Sequence, residues 1–251
     1  MGHAHAHGPA NRGRRVLRTA APLFVREPGT GAYGGAVVLH DVFGVTEYAE
    51  GACRRLAREG WIAVSPYLYH ERGGPAYEPA EPAERERARG ELARLSPEDL
   101  AADVEGALAY LTGRRGLRRA VVVGLEAGGY LATWAATRFP EVAAVAAVSP
   151  AGVGAAPWEG LPPLELLVPD RRAPWLAVAA DGDPGTERLR PAAASAGPRA
   201  EVRVLPGTGP GFYREGAPEH DPAAATTCWD LVLAFLSEAE RPPGGTADHD
   251  G

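Results

Sequence analysis

The residues best placed to do chemistry in this chain are three carboxylates, and the most telling is Glu126. The stretch Val121-Val122-Val123-Gly124-Leu125-Glu126-Ala127-Gly128-Gly129 joins an apolar β-run, a Gly-x-X-x-Gly turn and the start of a helical pattern. That is the layout of a nucleophile elbow, in which small flanking residues let the central side chain stand above the sheet. A hydrolase places Ser, Cys or Asp at the centre; this chain places Glu126. A carboxyl group there could attack carbon, take a proton or give one. Asp41 and Asp183 each follow another apolar run, so all three acids are expected to project into one pocket.

The elements that must position them are strands alternating with helices. Leu23 to Glu27 is a short strand candidate, and Ala36-Val37-Val38-Leu39-His40 reads as a strand buried on both faces. A helical pattern from Thr46 to Glu59 ends at Gly60, and Trp61-Ile62-Ala63-Val64 is the next strand. A charged helical segment covers Glu84 to Leu95, and a second begins with Ser96 as N-cap, Pro97 at the first position and Asp99 at the third. After the elbow helix come strands at Val142 to Val148, Trp175 to Ala180 and Val202 to Leu205, and a last helix from Ala223 to Glu238. The Pro/Gly-rich stretch from Ser149 to Pro174 reads as an excursion over the top of the sheet. The alternation predicts an α/β fold, with a mainly parallel central sheet and helices on both faces.

Composition narrows the class of protein. The 251 residues suit a single domain over 19–239, with a disordered leader at 1–18 and a disordered tail at 240–251. His3, His5 and His7 in the leader are given no functional role. All 26 cationic residues are Arg, and with abundant Ala, Gly and Pro they indicate a GC-rich genome. A net charge of −6 and scattered arginines exclude a nucleic-acid stripe or a membrane patch. The two cysteines, Cys53 and Cys228, read as buried reduced thiols. With neither a signal peptide nor a spanning segment in sight, the expected compartment is the cytoplasm.

In such a sheet, ligands bind beyond the carboxyl ends of the strands. The residues there form five motifs in order: His40-Asp41-Val42-Phe43-Gly44, Gly60 to His70, the elbow, Asp181-Gly182-Asp183-Pro184, and Gly207-Thr208-Gly209-Pro210-Gly211-Phe212. Over about residues 20 to 239 the chain resembles the dienelactone hydrolase (carboxymethylenebutenolidase-like) family of the α/β-hydrolase fold. The resemblance implies a Cys nucleophile at the elbow, an Asp after the later strand and a His in a Gly-x-Gly-His-x-Phe turn. Those positions hold Glu126, Asp183 and Pro210 here. It also implies that Asp41 governs the elbow residue and that the amides of Val42 and Ala127 form the oxyanion hole. Arg214, with Arg87 or alternatively Arg85, would bind a substrate carboxylate, and His40, Phe43, Tyr67, Tyr69 and Phe212 would line the pocket.

Acyl hydrolysis by the family route needs a base beside the nucleophile, and Pro210 has no basic nitrogen. The expected activity is therefore non-hydrolytic acid–base chemistry: a cyclisation, isomerisation or dehydration of a small, carboxylated specialised metabolite. Glu126 would be the acid or base, with Asp41 and Asp183 tuning it. Crowded carboxylates would raise its pKa, while a helix N-terminus and arginines would lower it, so the sign is open at this stage. Two alternatives remain: a non-catalytic ligand-binding protein with a degenerate triad, and a hydrolase using a nonstandard residue. No metal or organic cofactor is indicated, and the chain is expected to act as a monomer or homodimer on a small molecule.

Overall fold

The computed structural model describes residues 20–71 and 76–240. The leader at 1–18 and all but the first residue of the tail at 240–251 lie outside the described residues. Seven strands form one sheet: β1 (Leu23–Arg26), β2 (Gly34–Leu39), β3 (Trp61–Pro66), β4 (Ala120–Leu125), β5 (Val142–Val148), β6 (Trp175–Ala180) and β7 (Ala200–Leu205). Their order is β1-β3-β2-β4-β5-β6-β7, with only β1 antiparallel. Every residue of β2 to β6 is buried, which is why those strands read as unbroken apolar runs. At the edge, β7 alternates between exposed and partly buried residues before it ends at buried Leu205.

The helices are α1 (Glu47–Arg58), α2 (Pro82–Ala93), α3 (Pro97–Ala109), α4 (Ala127–Arg138), α5 (Leu164–Asp170), α6 (Thr186–Ser195) and α7 (Pro222–Glu240), with a π-turn at Tyr110–Arg114 after α3. The Ser96 hydroxyl accepts from the Asp99 amide at 3.1 Å, so the expected N-cap forms. Two apolar clusters flank the sheet. One joins β2–β6 residues such as Val37, Val64, Val122 and Trp175 to α3 and α4; the other joins the opposite side chains of the same strands to α1 and α7. Helices α5 and α6 go beyond the sequence expectation. Each carries an internal proline, Pro169 or Pro191, and α5 lies within the stretch read as an excursion. Among the described residues no helix is long and apolar enough to cross a membrane.

Strand order reverses around β2 and β4, which pair in parallel with Leu39 opposite Gly124. A crevice opens at such a switch point beyond the carboxyl ends of the strands. The loops after β2, β4, β5, β6 and β7 therefore decide what the molecule can bind.

Candidate active site

Glu126 occupies the turn between β4 and α4 with φ 52° and ψ −108°. A left-handed φ is costly for a residue with a side chain and persists only where its surroundings enforce it. Two glycines do the enforcing. A Cβ on Gly124 would collide with the Gly128 carbonyl, and one on Gly128 would collide with the Leu39 and His40 carbonyls. The strand, the helix and the end of β2 thus touch backbone to backbone, and the Glu126 side chain is forced up into the crevice. Its amide donates to the Val148 carbonyl at 2.9 Å, which ties the elbow to β5.

The crevice is a cleft of about 300 Å³ lined by, among others, Val42, Phe43, Arg85, Arg89, Glu126, Ser149, Asp183, Pro210 and Arg214. Asp41 lies behind this wall, 3% exposed. One of its oxygens accepts from the Phe43 amide at 2.9 Å, and the other from Arg214 Nε at 2.9 Å. Arg214 Nη2 is 2.8 Å from that second Asp41 oxygen and 3.1 Å from the Glu126 carboxylate. The guanidinium also sits over the Phe43 ring, 4.6 Å from its centroid, and donates to the Tyr213 hydroxyl at 3.0 Å. Two carboxylates thus share one arginine, and the cluster is net negative when both are ionised.

Burial and this charge imbalance act in the same direction. Burial pushes the Glu126 carboxyl above its ordinary value, and the Asp41 carboxylate adds to the rise against the opposing pull of Arg214. The Glu126 side chain keeps 40% of its surface open to the cleft, so the carboxyl can still exchange protons with whatever enters. Arg214 is held firmly charged by Tyr213, Asp41 and Glu126 despite its burial. No hydrogen bond among the described residues takes up the amides of Val42 or Ala127, so both remain available to an oxygen at the mouth of α4.

Several expected site residues stand elsewhere. Arg87 points to solvent, 71% exposed and paired with Glu84 at 2.6 Å; the alternative, Arg85, lines the cleft together with Arg89, one helical turn away. Arg214 reaches the cleft with its Nε and Nη2 engaged by Asp41, Glu126 and Tyr213, while no hydrogen bond among the described residues takes up Nη1. His40 is buried beneath the loop, its Nδ1 donating to the Asp41 carbonyl at 2.6 Å, while Nε2 is buried without a partner. Burial lowers its pKa and keeps it neutral. Tyr69 is buried and donates to the Val42 carbonyl at 2.8 Å, bracing the loop after β2 from behind. Phe212 is fully buried in the α7-side core. Tyr67 is half-buried and lies off the cleft wall. Of the expected aromatics only Phe43 lines the cleft.

Asp183 lines the cleft and accepts from the Gly185 amide at 2.8 Å, closing a turn before α6. Pro210 lines it as well, in the turn that carries Arg214. Among the described residues no histidine or cysteine does so. His40 is buried, and both Cys53 and Cys228 sit in the core with thiols pushed up to about 12 by burial. Arg89 and Ser149 are lining residues that the sequence reading did not assign. Arg89 follows Arg85 by four positions, a spacing that puts both on one helix face; Ser149 enters the sequence reading only as the first residue of the stretch that follows β5.

Comparison with known proteins gives the same frame. A protein named as a carboxymethylenebutenolidase from Salmonella typhi is 26% identical over 214 residues, covering 83% of this chain and 78% of its own. Its counterpart from Escherichia coli (strain K12) is 26% identical over 208 residues, covering 80% and 76%. The crystal structure of a protein named as a dienelactone hydrolase from Klebsiella pneumoniae superposes with a TM-score of 0.75 at 23% identity, over 87% of this chain and 93% of that one. That of the Anabaena variabilis dienelactone hydrolase gives 0.62 at 18% identity, over 86% and 90%. The structural matches establish the α/β-hydrolase fold. The model of the Dienelactone hydrolase family matches residues 23–240, and the chain belongs to that family.

Proposed function

We propose that this protein is a proton-transfer enzyme that rearranges a small unsaturated carbonyl compound bearing a carboxylate, without hydrolysing it. The observation that carries this reading is Glu126. It is an acid with a raised pKa, held at the strained elbow within reach of Arg214, in a cleft where the described residues supply no histidine to serve a nucleophile. A carboxyl with a raised proton affinity is a better base when ionised, and once protonated it can return the proton.

A carbonyl oxygen accepts from the amides of Val42 and Ala127 at the N-terminus of α4, where developing negative charge is favoured. The ionised Glu126 removes a proton from the carbon next to that carbonyl, or from its conjugated equivalent, and the C–H electron pair becomes an enolate. The protonated Glu126 then returns the proton to a different carbon. The product is an isomer of the substrate, and no atom enters from water. The same enolate could instead close a ring or expel a hydroxyl group. Arg85 and Arg89 supply positive charge for the substrate carboxylate. Asp41 and Arg214 set the proton affinity of Glu126 from opposite sides.

A second reading is favoured by the names of the relatives: Glu126 as a general base that activates water on a lactone carbonyl, with the same amides holding the oxyanion. The two readings separate on a carboxymethyl-substituted but-2-enolide, whose ring γ-carbon carries a removable proton, incubated in oxygen-labelled water. Proton transfer gives an unlabelled isomer and hydrolysis a labelled, ring-opened acid. Glu126→Gln should lower either turnover by roughly a hundredfold or more. Undiminished turnover in that variant would remove Glu126 from both.

A further inference from the structure

Glu126 is not alone in its strain. Among the described residues only one other with a side chain has positive φ: Ser149, at φ 45°. The two end adjacent parallel strands, with Leu125 of β4 opposite Val148 of β5. Their backbones are laced together. Glu126 N–H donates to the Val148 carbonyl at 2.9 Å, Ala151 N–H donates to the Glu126 carbonyl at 3.0 Å, and Ser149 N–H donates across to Val178 of β6 at 2.8 Å. Both residues line the same cleft.

A left-handed position without functional demand is met most cheaply by glycine, as at many turns of this chain. Ser149 carries a Cβ and a hydroxyl there instead. The residue is only 5% exposed, yet its hydroxyl has no hydrogen-bond partner among the described residues, and its oxygen is not sealed from the cleft. A hydroxyl fixed by strained backbone, nearly buried and with nothing inside the protein to bond, is available to a ligand. A merely structural serine would bond the backbone nearby, as Thr186 does to the Ala180 carbonyl at the end of β6, at 3.0 Å.

We propose that Ser149 is a substrate-binding residue whose hydroxyl hydrogen-bonds a polar oxygen of the molecule on which Glu126 acts. Between Glu126 and Asp183 on the cleft wall, it selects substrates with an oxygen function beside the reacting carbon and holds that carbon against the Glu126 carboxylate. The assignment rests on the proton-transfer reading of the cleft.

The test uses Ser149→Ala, which keeps the Cβ and loses the hydroxyl, and Ser149→Gly, which also relieves the positive φ. The probe is a carboxymethyl-substituted but-2-enolide, with Glu126→Gln measured in parallel. Both Ser149 variants should lose roughly five- to thirtyfold in kcat/KM, the weight of one hydrogen bond to substrate. The Tm of Ser149→Ala should match wild type, and that of Ser149→Gly should be equal or higher. Unchanged kcat/KM in Ser149→Ala, with turnover lost in Glu126→Gln, would overturn the Ser149 role alone. A Tm loss in Ser149→Ala that accompanies the activity loss would assign the hydroxyl to structure and also overturn it. A wild type that neither binds nor converts the probe would overturn the substrate reading and the Ser149 role with it.

Discussion

Replacing Asp41 with Asn removes one charge from a buried cluster without changing its volume. Both Asp41 oxygens are acceptors, one for the Phe43 amide and the other for Arg214. Asparagine has a single acceptor oxygen, so whichever way it turns, its NH₂ group faces an N–H donor. Asp41 is 3% exposed and the Arg214 side chain 10% exposed, so water cannot make good the loss. Removing one partner of a buried pair costs about 3–5 kcal/mol. Glu126 still shares the guanidinium, which favours the lower end, about 3 kcal/mol. For a domain of this size each kcal/mol moves Tm by about 2–4 °C, so a drop of about 6–12 °C is expected in calorimetry. The same change should alter chemistry. The Asp41 carboxylate helps raise the Glu126 pKa, and without it Arg214 is left to Glu126, which then ionises more easily. The limb of the pH–rate profile that reports Glu126 should therefore move to lower pH. A Tm within about 2 °C of wild type, or a limb that moves upward, would refute the picture of one arginine balanced between two acids.

Three further outcomes follow from the same geometry. Because folding raises the Glu126 pKa above its ordinary value of 4.5, its stabilising contribution is full below that pH and is lost as pH rises through the folded value. Glu126→Gln should therefore unfold at a higher temperature than wild type in alkaline buffer, with the advantage vanishing in acid; a constant difference across the pH series would contradict the shift. Gly128→Ala pushes a methyl into the Leu39 carbonyl, so urea titration should show a loss of about 1–3 kcal/mol or more, and a neutral result would mean that α4 can slide off β2. Finally, if the Val42 and Ala127 amides and Asp183 serve as the family resemblance implies, Glu126→Cys combined with Pro210→His should gain hydrolysis of p-nitrophenyl acetate at least about tenfold over either single variant. Equal activity in all three would show that the relay needs more than those two residues.

The sequence revealed most where burial and backbone sterics left one reading. Strands β2 to β6 are buried on both faces and announce themselves as apolar runs, and the glycines around Glu126 mark the elbow because nothing larger fits. It was least informative where facing decides. His40 and Asp41 are neighbours, but one ring turns under the loop while the other side chain reaches Arg214. Arg87 and Arg85 are two residues apart on α2 and point to opposite sides; only Ala88 of that helix is fully buried, so no apolar stripe marks the inner face. Tyr69 and Phe212 lie in loops that follow strands, as cleft residues do, yet their rings pack inward. Helices α5 and α6 were hidden by their prolines. The pKa direction of Glu126 depends on one guanidinium being divided between two acids, which no linear pattern records.

The central claim is that Glu126 moves a proton and adds no water. It is tested most directly by mass spectrometry of the product formed from a carboxymethyl-substituted but-2-enolide in water carrying both deuterium and heavy oxygen. The account predicts an isomer with solvent deuterium on carbon and no heavy oxygen, formed by the wild type and not by Glu126→Gln. A ring-opened acid with one heavy oxygen in its new carboxylate would contradict it and make this chain a hydrolase that works through glutamate.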